Sequence, residues 1–391
     1  MKDGYLDFDE YIRQGEPDKE EKAILWRTAI GLQAVDGLKT SDYLKETARK
    51  HIEGEIDIDE ARELIKSYYQ SKQSREPDDD QMQEADKVSA NITKILSSSS
   101  LDFSSQGIIA LHRRIFDGVF KHAGKIRDYD ITKKEWVLEY DTVHYLNWED
   151  LLRALDYDIG QERNFSYKGL TTDDLISHIT KFVSGIWQIH AFREGNTRTT
   201  AVFTILYLRD IGFQVNNDMF ANHSWYFRNA LVRANYRNAV KGIDYTPVYL
   251  ERFFRNLLLG EQWDLRNRYL HIHPSQEWSV QPNLAASSGS MGETHKHPTS
   301  TPQVPHKLLP DNPHLIRLVV VVSQQTLSVS EMMALLQLKD RKNFLGTYLS
   351  PAIGEGFVRM LYPESPRHPR QKYLLTAKGL ALSNELKGKE Q

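Results

Sequence analysis

The chain of 391 residues contains no cysteine, which excludes disulfides, thiolate metal sites and a cysteine nucleophile. It has no stretch approaching the roughly 20 apolar residues that span a bilayer, and residues 1–5 lack the apolar core of a signal peptide. The formal net charge is only −3, so nonspecific nucleic-acid binding by the whole molecule is not expected. We therefore expect a soluble protein without a membrane partner, in a reducing compartment and most simply the bacterial cytoplasm.

The composition is that of an ordinary globular chain, with 40% hydrophobic and 26% charged residues. Its length predicts more than one domain. Helical patterns dominate an N-terminal region at 1–72 and a central domain at 85–273, and patterning resumes in a C-terminal domain at 313–391. Between the last two, residues 274–312 are rich in Ser, Pro, Gly, Thr and His, which predicts a flexible linker. The predicted fold class is mainly α.

One segment of the central domain departs from the helical pattern. Residues 128–145 place apolar side chains among charged ones, an arrangement that suits a short β-hairpin rather than a helix. The apolar members are Tyr129, Ile131, Trp136, Val137, Val143 and Tyr145.

The most informative segment runs from His190 to Arg198 and reads His-Ala-Phe-Arg-Glu-Gly-Asn-Thr-Arg. Apolar helical patterns flank it, and its Glu-Gly-Asn step is a turn signal. The pattern thus predicts a helix, a tight polar loop and a second helix. Unpaired N–H groups at the start of the second helix form an anion site, to which Arg198 adds a full charge. An anion-binding loop beside a histidine indicates transfer of a phosphate-containing group.

This segment resembles the signature of Fic-domain proteins, H-x-F-x-[D/E]-G-N-G-R-x-x-R. Every position through Asn196 agrees, as does Arg198, whereas Thr197 replaces a glycine and Ala201 replaces the second arginine. Proteins of this family typically move AMP from ATP onto a hydroxyl side chain of a target protein. The resemblance therefore implies a Fic helical core with a β-hairpin flap, and a protein adenylyltransferase.

The resemblance also implies a role for each residue of the loop. His190 would be the base that takes the proton of the incoming hydroxyl. Glu194 would hold the Mg²⁺ that bridges the α- and β-phosphates of ATP, the co-substrate. Arg198 would grip the β-phosphate. The cradle for the phosphates would consist of Gly195, Asn196, Thr197 and Arg198.

The two departures from the signature bear on the donor. A β-branched Thr197 in place of glycine can hinder close approach of the backbone to phosphate. Ala201 removes a contact to the γ-phosphate that is worth about 1.5–3 kcal/mol, or on the order of ten- to hundredfold in affinity. ATP binding is therefore expected to be weaker, and the alternative is a different nucleotide or a diphosphate conjugate as donor.

The predicted hairpin resembles the Fic flap. Residues 122–127, then Ile131, Thr132 and Lys133, and finally residues 143–145 carry this likeness. In the family the flap docks a segment of the target protein by main-chain strand addition. The alternative is an ordinary surface hairpin.

The N-terminal region is similar to a VbhA-type antitoxin module at residues 29–37 and 52–61. In related Fic proteins an [S/T]-x-x-x-E-[G/N] helix blocks the γ-phosphate site, because its glutamate pairs with the second arginine of the signature. Those three motif positions are occupied here by Leu32, Asp36 and Gly37. Since the arginine is Ala201, both members of the ion pair are altered. We expect this inhibitory contact to be weakened or lost, although the helices can still dock.

The C-terminal domain resembles a winged helix, with the order helix, helix, strand, Pro-rich tip, strand, helix. Such domains place their second helix in a DNA groove and contact phosphates through the wing, but the same pattern also serves protein contacts. The basic candidates are Arg341, Lys342, Arg367, Arg370 and Lys372. A regulatory binding protein with a decayed active site, acting through this domain, is therefore the third interpretation.

Overall fold

The computed structural model describes residues 8–71, 78–98, 100–213, 215, 218–273, 312–323, 325–361 and 371–388. These residues are mainly helical with two short antiparallel hairpins, which confirms the predicted fold class. The predicted linker, except Asn312, and the tip between the last two strands lie outside the described residues. No helix among the residues described combines the length and apolar character needed to cross a bilayer.

The helices of the first two regions follow one another in chain order. They are α1 (Asp9–Gln14), α2 (Pro17–Gly31), α3 (Asp42–Glu53), α4 (Ile58–Ser71), α5 (Asp79–Ser97), α6 (Ser105–Ile115), α7 (Leu151–Arg163), α8 (Thr172–Ile189), α9 (Asn196–Asp210), α10 (Asp218–Asn222), α11 (Ser224–Asn235) and α12 (Val248–Leu259). A 3-10 turn, Leu32–Asp36, extends α2 and ends at Gly37, whose φ is 72°.

The N-terminal helices share their core with the central domain. Trp26 of α2, Leu44 of α3 and Ile65 of α4 lie in one buried apolar cluster with Ala90 of α5. Farther along α2, Ala29 and neighbouring residues belong to the large core of the central domain. Packing therefore crosses the predicted boundary between residues 72 and 85, and α5 contributes to both regions.

The helix pair α8–α9 lies at the centre of the large core. A capping box starts α8, since the Thr171 side chain accepts from Asp174 N and the Asp174 side chain accepts from Thr171 N. Apolar residues at helical spacing then bury one face of α8. Helix α9 is buried at every residue from 196 to 208, so it is enclosed on all sides by other elements. The loop between these helices is consequently held at both ends by a packed core.

The predicted hairpin is confirmed. Strands β1 (Thr132–Lys134) and β2 (Thr142–His144) are antiparallel, with Lys133 opposite Val143. A 3-10 turn, Trp136–Leu138, lies between them. Val143 and the turn residues Val137 and Leu138 are buried, so the hairpin is anchored on the core while Thr132 stays exposed.

The C-terminal domain consists of helices α13 (Pro313–Val322), α14 (Val329–Leu335), α15 (Arg341–Phe344) and α16 (Ser350–Gly354), strands β3 (Val358–Met360) and β4 (Tyr373–Leu375), and helix α17 (Ala377–Gly388). A π-helical turn, Leu345–Leu349, joins α15 to α16. The strands are antiparallel, with Arg359 opposite Leu374.

This domain packs directly on the central domain. The backbones of Gly356 and Gly212 approach closely: a Cβ added to Gly356 would lie only 2.0 Å from the carbonyl oxygen of Gly212. Both glycines have positive φ, and neither position has room for a side chain. In addition, Asn384 Nδ2 of α17 donates to the Leu170 carbonyl at 3.0 Å, just before α8.

Candidate active site

The loop between α8 and α9 is closed at both ends by left-handed residues. His190 follows α8 with φ 50°, and Gly195 precedes α9 with φ 74°. A Cβ at Gly195 would lie 2.1 Å from Cζ of Phe116, so only glycine fits this turn.

Asn196 braces the loop from within. Its Oδ1 accepts from the Phe192 N–H at 2.9 Å, and its Nδ2 donates to the Phe192 carbonyl at 2.6 Å. Both polar groups of this side chain are thus used to hold the loop. Its contribution to the cradle is therefore the shape of the turn and its backbone N–H at the start of α9.

His190 is poised as a hydrogen-bond acceptor. It is 2% exposed, and its ring stacks on Tyr145 with centroids 3.7 Å apart. Nδ1 lies 3.3 Å from the Trp187 carbonyl oxygen. Since a carbonyl only accepts, this contact places the ring proton on Nδ1 and leaves a lone pair on Nε2. Among the described residues, Nε2 is buried and has no hydrogen-bond partner.

The electrostatic surroundings keep His190 neutral. Burial lowers its pKa well below 6.5, and the charges of Lys133, Arg228 and Arg127 act in the same direction. The neutral imidazole with a proton on Nδ1 is the form that a general base requires at neutral pH.

Two residues outside the signature hold the loop in place. His112 of α6 accepts from the Gly124 N–H at Nδ1 (2.8 Å), so its Nε2 carries the proton and donates to the Glu194 carbonyl at 3.1 Å. Burial lowers the pKa of His112 to about 4. Arg127, whose side chain is completely buried, donates from Nε to the His190 carbonyl at 2.9 Å. The signature gives no indication of either residue, because both contacts come from other segments.

The Glu194 side chain is exposed at the surface of the loop. A carboxylate is a hard oxygen donor, and Mg²⁺ needs only one or two of them when a nucleotide supplies phosphate oxygens. The described residues contain no cluster of three or more His, Asp or Glu that could bind a metal alone. Glu194 therefore fits a metal that arrives with phosphates, as the resemblance implies.

Thr197 faces α8 rather than the loop. Its Oγ1 accepts from the Trp187 indole N–H at 3.0 Å, and both side chains are buried. The side chain that replaces glycine is thus turned into the core. Ala201, one turn farther along α9, is completely buried, so an arginine there would have to displace the segments that cover it.

Arg198 is buried and paired with three acceptors. Its Nε lies 2.7 Å from Asp36 Oδ2, and another guanidinium nitrogen lies 2.7 Å from Glu84 Oε1. A third contact runs to Gln33 Oε1 at 3.1 Å. Ala201 offers Asp36 no guanidinium, and Asp36 pairs instead with Arg198, the first arginine of the signature.

Around this pair the N-terminal segment is well seated. Leu32 is completely buried in the large core, and Gly37 ends the 3-10 turn that presents Asp36. Ser89 of α5 also donates to the Ala29 carbonyl at 3.4 Å. This segment is therefore packed on the central domain.

Asp36 also contacts a second arginine that the sequence did not single out. Arg228 of α11 donates from one nitrogen to Asp36 Oδ1 at 3.2 Å. From its other terminal nitrogen it donates to Glu135 Oε1 at 2.9 Å and Oε2 at 3.1 Å. Lys133 of β1 lies among the same charges; burial lowers its pKa, and so does Arg228. Each oxygen of the Asp36 carboxylate thus faces a different guanidinium.

Two family models match the chain. Residues 102–208 match the Fic/DOC family, and residues 313–376 match the C-terminal domain described for Filamentation induced by cAMP protein Fic-like. The chain therefore contains a Fic domain, followed by a C-terminal domain of the type found in Fic-like proteins. Fic-family proteins generally transfer a nucleoside monophosphate to proteins.

A curated relative is the protein adenylyltransferase VbhT of Bartonella schoenbuchensis, which is 23% identical over 181 residues. The match covers 43% of this chain and 37% of that protein, so the chain spans well under half of its relative.

Solved structures are also similar. A Fic family protein from Desulfovibrio desulfuricans has 15% identity and a TM-score of 0.41, with 95% of this chain and 94% of that chain covered. The BepC protein of Bartonella tribocorum with bound AMPPNP has 16% identity and a TM-score of 0.36, with 47% and 88% covered.

Proposed function

We propose that this protein transfers AMP from Mg-ATP to a Ser, Thr or Tyr hydroxyl of a target protein. The observation that carries the proposal is the state of His190. Its Nε2 is a buried acceptor without a partner among the described residues, and Nδ1 is held by the Trp187 carbonyl. A buried polar atom left unpaired costs free energy, which is recovered when a substrate hydroxyl donates to it.

In this reaction His190 would act as the general base. The target's hydroxyl oxygen forms a bond to the α-phosphorus while its proton passes to Nε2 of His190. The bond from that phosphorus to the bridging oxygen breaks, and pyrophosphate leaves with the electron pair. General-base assistance of this kind is typically worth about 10²–10⁴-fold in rate.

The start of α9 supplies the binding site for the phosphates. The N–H groups of Gly195, Asn196, Thr197 and Arg198 lie at the N-terminus of a buried helix, where the first N–H groups have no acceptor within the helix. Glu194 would hold Mg²⁺, which would neutralise charge on the phosphates. The Thr197 side chain points into the core, so it does not itself cover the N-terminus of this helix.

The flap would position the target. In the described part of the chain β1 pairs only with β2, so its other edge is available for strand addition at Ile131, Thr132 and Lys133. Docking there would use main-chain hydrogen bonds, with the modified side chain directed toward His190.

Residues 32–37 would restrain the reaction. Asp36 lies against Nε of Arg198, while Glu84 of α5 contacts another nitrogen of the same guanidinium. A phosphate could reach the Nε side of Arg198 only by taking the place of the Asp36 carboxylate. The contacts of Asp36 and Glu84 with Arg198 also favour a second candidate function. In this function the protein is a regulatory protein that binds DNA or another protein through a winged helix formed by the C-terminal domain. Arg341 and Lys342 at the start of α15 are exposed and would serve such a contact.

The decisive experiment is Mg²⁺-dependent labelling with ATP that carries label on the α-phosphate. Wild type and His190→Ala are compared for self-labelling and for labelling of a bacterial lysate, with the other nucleoside triphosphates in parallel. His273→Ala, which changes an exposed histidine, is the matched control. We expect label in wild type and the control and none in His190→Ala. Absence of label with every nucleotide in every sample would favour the binding role.

A further inference from the structure

The most unusual feature near the active site is a carboxylate held between two arginines from different helices. Asp36 places Oδ2 2.7 Å from Nε of Arg198 and Oδ1 3.2 Å from a terminal nitrogen of Arg228. The contact with Arg198 is an ion pair, and the contact with Arg228 is also a hydrogen bond. Two guanidinium groups that face one anion form a site suited to a phosphate, which carries several acceptor oxygens.

The charges of this site depend on its occupant. Three cations meet here, namely Arg198, Arg228 and Lys133, together with Asp36, Glu84 and Glu135. The charge of Glu194 also acts on Lys133. A neutral residue in place of Asp36 makes the local charge more positive by one unit in a largely buried position, where an anion is attracted far more strongly than at the surface.

The two carboxylates that contact Arg228 differ in how firmly they are held. The Glu135 side chain is 3% exposed and contacts Arg228 through both oxygens, and its backbone N–H donates to the Asp141 carbonyl at 3.2 Å. Asp36 is 28% exposed and belongs to a 3-10 turn of five residues that ends at a left-handed glycine. Glu135 therefore keeps Arg228 in place, whereas the more exposed Asp36 is the carboxylate whose place an anion could take.

We propose that Arg228 and Arg198 together bind the terminal phosphates of the nucleotide donor, in the place that the Asp36 carboxylate now occupies. This inference rests on the proposed nucleotidyl transfer. Arg228 supplies from α11 the positive charge that the signature lacks at Ala201. The protein therefore retains a second arginine for the phosphates, although it comes from another helix.

Binding of pyrophosphate, measured by titration calorimetry with the full chain, tests this site without requiring any transfer. Asp36→Asn removes the internal anion, so we expect it to tighten pyrophosphate binding about tenfold or more over wild type. In the Asp36→Asn background, Arg228→Gln should then weaken binding about ten- to hundredfold, the value of one charge-assisted contact. Arg237→Gln, an exposed arginine just after α11, should leave affinity unchanged.

Arg228→Lys is used if Arg228→Gln fails to fold, because lysine keeps the positive charge beside Glu135 but cannot make the bidentate contact of a guanidinium. In the Asp36→Asn background we expect its affinity for pyrophosphate to lie between those of the proteins with Arg228 and with Gln at this position. Equal affinity in the presence and absence of the Arg228 guanidinium would overturn the proposal, as would an Asp36→Asn protein that binds no better than wild type. The α-label assay separates the two proposals. If pyrophosphate binding depends on Arg228 but no label is transferred, the phosphate site is supported and the transferase is refuted. If label is transferred but pyrophosphate binding does not depend on Arg228, the transferase is supported and the phosphate site is refuted.

Discussion

The hydrogen bond between Trp187 and Thr197 makes a sharp prediction about the residue that replaces the signature glycine. Thr197→Val keeps the shape of the side chain but removes the acceptor for the indole N–H, which is 3.0 Å away. Trp187 and Thr197 are 1% and 5% exposed, so water cannot easily replace the lost partner. An unsatisfied buried donor costs about 1–3 kcal/mol, and we expect the free energy of unfolding to fall by that amount.

Thr197→Ser is the matched control, because it keeps the hydroxyl and should cost less than about 1 kcal/mol. Thr197→Gly, the residue of the signature, should be the worst of the three at about 2–4 kcal/mol, since it loses the hydrogen bond and also the packing of the buried Cβ and methyl group, at about 0.8 kcal/mol for each carbon. The assay is urea unfolding followed by far-ultraviolet circular dichroism. A second measurement combines Thr197→Val with Trp187→Phe, whose effects should be less than additive. Equal stabilities of the Val and Ser variants would refute the reasoning.

Two further changes test the packing of the loop. Gly195→Ala would place a Cβ 2.1 Å from Phe116 Cζ at a φ of 74°, so we expect a loss of about 2–4 kcal/mol in urea unfolding; a near-neutral result would contradict the close contact. His112 has a pKa of about 4 when folded against 6.5 in an unfolded chain, so the unfolded state binds the extra proton and stability falls as the pH drops from about 6.5 to about 4. That fall amounts to about 3 kcal/mol. His112→Gln should flatten this part of the stability–pH curve, and an unchanged slope would argue against a neutral, buried ring.

Local patterns in the sequence predicted the elements around the site well. The loop from His190 to Gly195 was identified from turn chemistry between two helical patterns, and the structure has α8 and α9 on either side. The hairpin at 128–145 was identified from its alternating residues. These features succeed because helix periodicity and turn preference depend on neighbours in the chain.

The partners of the signature residues were not predictable in this way. His112 contacts Glu194 across 82 residues, and Arg228 contacts Asp36 across 192. A motif shows which residue types a site uses but not which distant side chains complete it. For the same reason the sequence did not reveal that Asp36 pairs with Arg198, since a comparison of motif positions considers only the second arginine of the signature.

The sequence by itself determined the helical class, the helix–loop–helix at His190 and the chemical character of its residues, because these depend on short-range periodicity and on side-chain type. Only the tertiary structure decided the state of the site. It turned Thr197 into the core, used the amide of Asn196 to close the loop, left Nε2 of His190 without a partner among the described residues, and placed Asp36 between Arg198 and Arg228. These outcomes depend on burial and on contacts between segments far apart in the chain, which no local pattern encodes.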